Sequence, residues 1–257
     1  SSTSVQIPYY LIDIADLSSE YNAFKYQEDF YSVFTDLVKV EVPFVVGGTG
    51  MYLDAVIRGY DFVPVPTNTS LRAQMQEMSL EQLDQWLLSL KPNLHNKSDL
   101  LLRDRVERAI EIEVFMKSPD CQKVRDAMPK RPDIRPLIIG TSLPREDLRK
   151  NIKIRLDLRL KNGMIEEVDN LHKSGISWER LEKLGLEYRY LSLFLEGKMS
   201  RDQMEAVLYR EICHFAKRQE TWFRGMERKG VEINWLPPVT DSNEKYSAAL
   251  KLIEASL

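Results

Sequence analysis

The chain has 257 residues, of which 43% are hydrophobic and 29% charged, and its formal net charge is −3 at pH 7. This composition is typical of a soluble globular protein, and no apolar segment is long enough to span a membrane. No signal peptide opens the chain, and Cys121 and Cys213 provide neither a disulfide framework nor a metal-binding spacing. We therefore expect a cytoplasmic protein of one or two domains with no membrane partner.

The first part of the chain alternates between predicted strands and helices. Residues 7–14 predict a short buried strand, and Ser18 or Ser19 is placed to cap the helix that follows. Residues 44–46 predict a second strand, which leads through the glycine turn at residues 47–50 into another helix. This β-α-β-α order predicts a parallel sheet.

The middle of the chain predicts helices in place of strands. Helices are expected to begin near Thr69, Ser79 and Ser98, each behind a residue that can cap it. Residues 120–133 are polar, contain two prolines and predict a loop. We interpret residues 66–133 as a helical insertion into an α/β domain.

The α/β core is expected to resume at residue 134. Residues 135–140 and 231–236 predict two further short strands, and the chain between them predicts helices with Ser200 as the N-cap of the last long one. The predicted domains are therefore an α/β core with C-terminal helices, residues 1–65 and 134–257, and the insertion at residues 66–133.

The glycine turn at residues 47–50 is the first candidate site. Three glycines surround Thr49 between the predicted strand and the predicted helix. Such a turn lets backbone N–H groups approach a ligand and directs a helix N-terminus towards an anion. A sharp corner without a ligand is the alternative.

A basic face on the last long helix is the second candidate. Almost no acidic residue interrupts it, and a basic face of this length can follow a phosphate backbone. A solvated outer face is the alternative. The helical period places on this face Arg210, His214, Lys217, Thr221, Arg224 and Arg228, with Arg218 at its edge. It places on the opposite, apolar face Leu208, Ile212, Phe215, Trp222, Phe223 and Met226.

Two further groups of arginines can bind anions. Arg105 is predicted on an otherwise apolar helix face, where a charge must pair or bind a ligand. An ion pair with Glu111 or Asp104 is one interpretation, and a grip on phosphate is the other. In the helix after Pro144, Arg155 and Arg159 are four residues apart and share a face that can reach a diphosphate.

Four segments together resemble the tRNA dimethylallyltransferase family. They are YYLIDI at residues 9–14, VGGTGMYL at 46–53, RVERAIE at 105–111 and AKRQETWFR at 216–224. The motifs occur in the family's order, and the glycine-threonine motif combined with the last segment is specific to it.

The resemblance implies a fold, a reaction and its partners. The implied core is a P-loop-kinase-like parallel sheet, incomplete at its N-terminus, with the helical insertion and a helix-rich C-terminal part. The implied reaction is attack of N6 of the adenosine 3′-adjacent to the anticodon of tRNA on dimethylallyl diphosphate, with diphosphate leaving and with Mg²⁺ as the cofactor. The tRNA anticodon loop and dimethylallyl diphosphate are the implied partners, and we expect a monomer.

The resemblance also implies residue roles. Thr49 matches a threonine of the substrate channel and Arg155 an arginine that contacts the diphosphate, so both are expected to be catalytic. Substrate binding is expected from Gly47, Gly48, Gly50 and Asp13. The positions that match tRNA contacts are Arg72, Asp104, Arg105, Val106, Glu107, Arg108, Arg210, His214, Lys217, Arg218 and Gln219.

Several features depart from the family pattern. The P-loop and the strand with the general-base aspartate would lie before residue 1, so we expect this chain alone to be inactive. Asn151 stands where many members have an arginine, and Glu187 replaces a glycine. Two other functions stay open: an adenylate isopentenyltransferase that acts on a free nucleotide, and a non-catalytic RNA-binding protein.

Overall fold

A computed structural model of the chain describes residues 7–17, 19–92 and 102–256. Within these ranges the chain is mostly helical, with one small parallel sheet. It forms two compact units, Ser1–Tyr60 with Pro132–Leu257, and Asp61–Arg131. The elements in chain order are α1 (Ala23–Leu37), α2 (Gly50–Ile57), α3 (Thr69–Gln76), α4 (Leu80–Leu90), α5 (Arg103–Met116), α6 (Pro119–Ala127), β1 (Ile139–Gly140), α7 (Arg145–Lys161), α8 (Met164–Lys173), α9 (Trp178–Leu184), α10 (Leu186–Leu195), α11 (Arg201–Arg228), β2 (Asn234–Trp235) and α12 (Ser242–Ser256).

Capping residues explain where several helices begin. Ser79 and Ser200 each form a capping box with a glutamine three residues on, which satisfies backbone N–H groups at the starts of α4 and α11. Asn68 caps α3 through its side-chain oxygen. The starts predicted near Thr69 and Ser79 and at Ser200 are therefore confirmed. Ser98 lies outside the described residues, and α5 begins after Leu102.

The core of the larger unit is formed by the five consecutive helices α7, α8, α9, α10 and α11. These five helices are separated by short breaks, as the sequence predicts after Pro144. Their facing apolar side chains form one buried cluster, so packing of helix on helix stabilises this part of the chain. The fully or almost fully buried members are Leu156, Leu160, Met164, Val168, Leu181, Leu191, Met204 and Leu208.

The smaller unit has its own core between α3, α4 and α5. Each of these helices contributes two buried side chains at helical spacing, which is the pattern of three amphipathic helices closing on one another. The buried members are Leu71, Met75, Leu83, Leu87, Val106 and Ile110.

The sheet is smaller than the sequence predicts. Strands β1 and β2 pair in parallel with Ile139 opposite Asn234, and the Asn234 N–H donates to the carbonyl of Ile138 at 2.9 Å. This pair lies within the predicted strands 135–140 and 231–236. No other strand occurs in the described ranges, so the β-α-β-α order is wrong for them.

The two strands predicted before residue 50 are the clearest error. Leu11 and Asp13 have φ values of 60° and 53°, which interrupt an extended segment. Residues 44–46 have no secondary structure, and the Val46 side chain is 95% exposed. Apolar composition alone cannot make a strand, because the backbone also needs a hydrogen-bonded neighbour.

Three helix predictions also need correction. Residues 120–133 are not all loop, because α6 occupies the first part of the segment behind Pro119, which is favoured in the first turn of a helix. Helix α12 was not predicted. Ser18 lies outside the described residues and Ser19 does not cap α1, because the Asn22 side chain accepts from the Lys25 N–H at 3.1 Å.

Among the helices described, none combines the length and the apolar character needed to cross a lipid bilayer.

Candidate functional site

The glycine turn leads directly into helix α2, as the sequence predicts. Thr49 occupies the N-cap position but its side chain makes no capping hydrogen bond, so its hydroxyl remains available to a ligand. The carbonyl of Gly48 accepts a hydrogen bond of 2.8 Å from the Gln219 side chain. A Cβ atom at position 48 would lie 2.6 Å from that side chain, so glycine allows α11 to approach the turn.

Gly50 brings a second residue of α11 against the turn. A Cβ atom at position 50 would lie 2.5 Å from Cδ1 of Trp222, closer than any side chain can fit. The Trp222 side chain is nevertheless 41% exposed, so one part packs on α2 and the rest faces open space. The glycine turn and α11 therefore pack directly against each other.

A cavity of about 710 Å³, a size common for small-molecule sites, lies between α2 and the C-terminal half of α11. It lies wholly within the larger unit, and α2 contributes one side chain to it, the buried Asp54. Its lining consists of Asp54, His214, Lys217, Arg218, Thr221, Trp222, Gly225, Met226, Arg228 and Lys229.

The cations at this cavity differ in their partners. Within the part of the chain that the structure describes, Lys217, Arg218 and Arg228 form no ion pair. Arg218 lies 5.9 Å from the ring centre of Phe215, which is a cation–π distance. These unpaired cations concentrate positive charge beside an exposed indole, which suits a ligand with phosphates and a flat ring.

Two other residues of the predicted basic face, Arg210 and His214, have an acidic neighbour. Glu211 lies 3.4 Å from Arg210 and 3.5 Å from His214. Arg224, which was predicted on the same face, pairs with Glu220 at 2.8 Å. The basic face is therefore more interrupted by acids than the sequence pattern indicates.

The apolar face predicted for α11 is correct only in part. Leu208 and Met226 are buried, but Phe215 and Trp222 are about two-fifths exposed, at 40% and 41%. Helix α11 packs on α7 and α10 with one half and on α2 with the other. A long helix with different neighbours along its length does not bury one continuous stripe.

Arg155 lines a different cavity, of about 520 Å³, along α7 and the start of α8. It is exposed there beside Ile154 and Leu158, whose apolar side chains are also exposed. The two cavities share no lining residue. The structure therefore does not bring Arg155 and the surface around Thr49 into one cavity.

Arg159 shares this second cavity, as expected from its spacing to Arg155. Its guanidinium lies 3.4 Å from Glu187, the residue that departs from the family pattern. The cavity thus has one arginine with an acidic partner and, in Arg155, one without an ion pair among the described residues.

Asp13 is exposed and has the positive φ noted above. No hydrogen bond or ion pair given by the structure joins it to the glycine turn. Its predicted place in the substrate site stays a prediction.

In the smaller unit, a buried carboxylate holds two arginines that were predicted to contact tRNA. The Glu111 side chain has no exposed surface and accepts from Arg72 at 2.8 and 3.0 Å and from Arg108 at 3.0 Å. The hydrogen bonds from Arg72, then those from Arg108 and the Asn68 N–H, lower the pKa of Glu111 to about 2. Arg108 also donates to the carbonyl of Val65. We call these three charged residues the Glu111 cluster.

The neighbouring positions of α5 differ in exposure. Val106 is completely buried, and Glu107 is buried and accepts from Arg103 at 2.6 Å. Asp104 and Arg105 are exposed, so the prediction that Arg105 lies on an apolar face is wrong. The helix turns its Val106 side towards α3 and α4 and leaves the Arg105 side outward.

Comparison with known proteins places the chain in a family. A sequence profile described as IPP transferase matches residues 1–226. The chain belongs to the IPP transferase family. The resemblance inferred from the sequence motifs is thereby confirmed, and the family is one of prenyltransferases.

Relatives in two bacteria carry a more specific name. The tRNA dimethylallyltransferase 2 of Treponema denticola is 51% identical over 90% of this chain and 78% of that protein. The tRNA dimethylallyltransferase 1 of Syntrophus aciditrophicus is 48% identical over 98% of this chain and 80% of that protein.

Solved structures agree with the fold. The tRNA isopentenylpyrophosphate transferase of Bacillus halodurans matches with a TM-score of 0.63 and 25% identity, over 97% of this chain and 80% of that one. A eukaryotic dimethylallyltransferase described as acting on tRNA matches with a TM-score of 0.70 over 94% of this chain and 64% of that one. Its identity is 15%, so it supports the fold alone.

Sequence reasoning missed Asp54 as part of the site. A signal was present, because Asp54 is the only charged residue between Gly50 and Ile57 in an otherwise apolar helix. A charge in such a setting must pair or bind, by the argument applied above to Arg105.

Proposed function

We propose that this protein transfers a dimethylallyl group from dimethylallyl diphosphate to N6 of the adenosine 3′-adjacent to the anticodon in tRNA. The N6 lone pair forms a bond to the allylic carbon, the bond from that carbon to the diphosphate oxygen breaks, and the N6 proton passes to a base. The names of its relatives support this assignment, and cytoplasmic location follows from a tRNA substrate.

One observation carries the proposal: the cavity between α2 and α11 is lined by three cations, Lys217, Arg218 and Arg228, that have no ion-pair partners in the described residues. Cations left unpaired beside an aromatic side chain are suited to RNA phosphates next to a stacked base. The alternative enzyme acts on a free nucleotide. A free nucleotide carries fewer negative charges than an RNA backbone and does not need three such cations.

The residue roles form part of the same proposal. Thr49 contacts the substrate from the end of the glycine turn, and Arg155 binds the diphosphate. The exposed apolar side chains of Ile154 and Leu158 beside Arg155 favour a ligand with an anionic head and an apolar tail. Residues 66–133 contact tRNA through exposed positions such as Arg105, and the sheet belongs to a P-loop-kinase-like core in a monomeric protein.

Mg²⁺ remains part of the proposal only as a partner of the diphosphate. In the described residues, no three His, Cys, Asp or Glu side chains converge in a way that could hold a metal ion. We therefore assign no ligands among the described residues and no step to Mg²⁺. Substrate phosphates commonly supply much of the coordination of this ion.

A competition experiment tests the proposed substrate. Fluorescently labelled tRNA is bound to the chain at low salt and displaced with unlabelled tRNA, its isolated anticodon stem-loop, or AMP. We expect both RNAs to displace the label and AMP to have no effect at comparable concentration. Displacement by AMP as efficient as by tRNA would favour the adenylate-modifying alternative. Transfer of labelled dimethylallyl groups to tRNA, measured in parallel, tests the expected inactivity of this chain.

A further inference from the structure

Asp54, which lines the cavity between α2 and α11, has a carboxylate oxygen that lacks a partner among the described residues. Asp54 is completely buried, and its Oδ2 accepts from the Tyr60 hydroxyl and lies 3.6 Å from the Arg58 guanidinium. Its Oδ1 is also buried and has no hydrogen-bond partner among the described residues. A buried polar atom without a partner is costly, so Oδ1 needs a donor that the described residues do not supply.

The Tyr60 hydroxyl is the hydrogen-bond donor to Oδ2. Burial, followed by the hydrogen bond to Asp54, raises the pKa of Tyr60 to about 12. Tyr60 therefore stays protonated and occupies Oδ2 at all physiological pH values. Oδ2 thus already has a donor, whereas Oδ1 has none among the described residues.

The rest of the cavity narrows the chemistry of that ligand. Trp222 offers an aromatic face, and Lys217 and Arg218 offer positive charge at the rim. The ligand that satisfies all three is flat, carries an N–H donor on its edge and has phosphates at its other end. A nucleotide unit of RNA has these features.

We propose that Asp54 determines base preference in the RNA that this protein binds, by accepting a hydrogen bond at Oδ1 from the amino group of a cytosine or an adenine stacked on Trp222. This inference rests on the proposed function, because it assumes an RNA ligand. It adds a specificity-determining contact at a residue outside the family motifs used above.

The single free oxygen explains the preference for these two bases. Cytosine N4 and adenine N6 each present an amino donor beside an acceptor nitrogen. Uracil presents an N–H between two carbonyls, whose oxygens are repelled by a carboxylate. Guanine presents adjacent N1–H and N2–H donors, which pair best with both oxygens of a carboxylate, and here Tyr60 and Arg58 already lie against Oδ2.

The first test compares short single-stranded oligoribonucleotides of equal length, all cytidine, all adenosine or all uridine. Binding to the chain is measured by fluorescence anisotropy at low salt. We expect the cytidine and adenosine oligomers to bind about tenfold more tightly than the uridine oligomer, since a hydrogen bond to a charged acceptor is gained. Equal binding of all three would overturn the inference.

The variant Asp54→Asn tests the residue itself. Because the Tyr60 hydroxyl donates to Oδ2 and Arg58 lies on the same side, we expect the amide oxygen in that position and the NH₂ group, a donor, in the position of Oδ1. We expect the preference for cytidine and adenosine to disappear and the uridine oligomer to bind relatively better. Asp36→Asn removes the same charge from an exposed side chain of α1 and is expected to leave the preference unchanged. A preference that persists in Asp54→Asn would assign Asp54 to the Arg58 and Tyr60 contacts alone.

A third measurement does not depend on whether Asp54→Asn folds. The unaltered chain is titrated with oligomers in which adenosine is replaced by N6,N6-dimethyladenosine, which has no amino hydrogen. We expect about a tenfold loss of affinity. Unchanged affinity would contradict the role of Asp54 while leaving RNA binding intact, whereas an absence of binding to every RNA would overturn the proposed function as well.

Discussion

Two groups of cations in this protein show opposite uses of positive charge. In the Glu111 cluster of the smaller unit, a buried carboxylate engages both arginines. At the cavity on α11, the cations Lys217, Arg218 and Arg228 have no ion-pair partner in the described residues. The difference lies in the acidic partner, because Glu111 forms ion pairs with both arginines of its cluster, whereas no ion pair joins the buried Asp54 to these three cations.

This contrast separates stability from binding. A buried ion pair broken on one side leaves an uncompensated charge, which is strongly destabilising. Exposed cations contribute little to stability but attract phosphates over several ångströms. We therefore expect changes in the Glu111 cluster to affect unfolding and changes at the α11 cavity to affect ligands.

The largest expected effect is that of Glu111→Gln. This change leaves Arg72 and Arg108 without their shared carboxylate, and we expect the unfolding free energy of the smaller unit to fall by about 3 kcal/mol. The loss is measured by urea denaturation in which the hydrogen exchange of backbone amides in α3 and α5 is monitored. Asp120→Asn, which removes an exposed carboxylate that pairs with Lys123, is the control and should cost less than about 0.5 kcal/mol. Equal losses in both variants would remove the distinction between the two groups of cations.

The same residue predicts a pH dependence. The folded-state pKa of Glu111 is about 2, against an ordinary value of 4.5, so its stabilisation is fully present above about pH 4.5 and is lost as the pH falls towards 2. The stability difference between the unaltered chain and Glu111→Gln should therefore shrink by roughly 1.4 kcal/mol per pH unit in that interval. Urea titrations of both proteins at several acidic pH values measure it, and taking the difference cancels the other carboxylates. A constant difference down to the lowest pH would show that the Glu111 charge does not stabilise the fold.

At the α11 cavity, Lys217→Glu combined with Arg218→Glu should leave stability nearly unchanged and weaken tRNA binding by roughly 10- to 100-fold at low salt. The dependence of affinity on salt should also become shallower, because fewer counterions are released. A matched reversal at two exposed lysines elsewhere in the same unit, Lys173→Glu with Lys183→Glu, controls for net charge. If both double variants bind alike, the cations of α11 are simply solvated.

The sequence predicts a feature of this protein when the contacts that produce it lie within a few residues along the chain. Caps such as Ser79 and Ser200 and the start of α2 after Thr49 were predicted because each depends on neighbours a few residues away. The ion pair of Arg72 was not predicted, since its partner Glu111 lies 39 residues further along the chain. Helical periodicity gives the side on which an arginine lies but not whether another helix brings a carboxylate to it.

The site shows the same limit. The sequence predicts that the glycines at 48 and 50 let a ligand approach the backbone, which stays a prediction, and in the structure they admit Gln219 and Trp222 of α11. Nothing in the turn itself indicates such a distant partner. The exposure of Trp222 was likewise unpredictable, because a single helical stripe assumes the same neighbour along the whole of α11.

A smaller effect tests the packing that joins the turn to the cavity. Gly50→Ala places a Cβ atom 2.5 Å from Trp222, so we expect a loss of about 1–2 kcal/mol and a changed tryptophan emission spectrum. Gly225→Ala is the matched control on α11. Its Cβ would meet only the far end of Arg228 at 3.7 Å, and alanine is the better helix former, so stability should rise by up to about 1 kcal/mol. If both substitutions stabilise the protein, α11 does not pack on the turn as described.

The smallest expected effect concerns a cation on the basic face that already has a partner. Arg224 pairs with Glu220 at 2.8 Å, and both side chains are largely exposed. We expect Arg224→Ala to change the unfolding free energy by less than about 0.5 kcal/mol and tRNA affinity less than Arg218→Ala does. Paired measurements of both variants by thermal unfolding and anisotropy decide the point. A larger loss of tRNA binding for Arg224→Ala than for Arg218→Ala would mean that RNA competes successfully with Glu220 for Arg224. An exposed carboxylate, unlike the buried Glu111, would then leave its cation available to bind RNA.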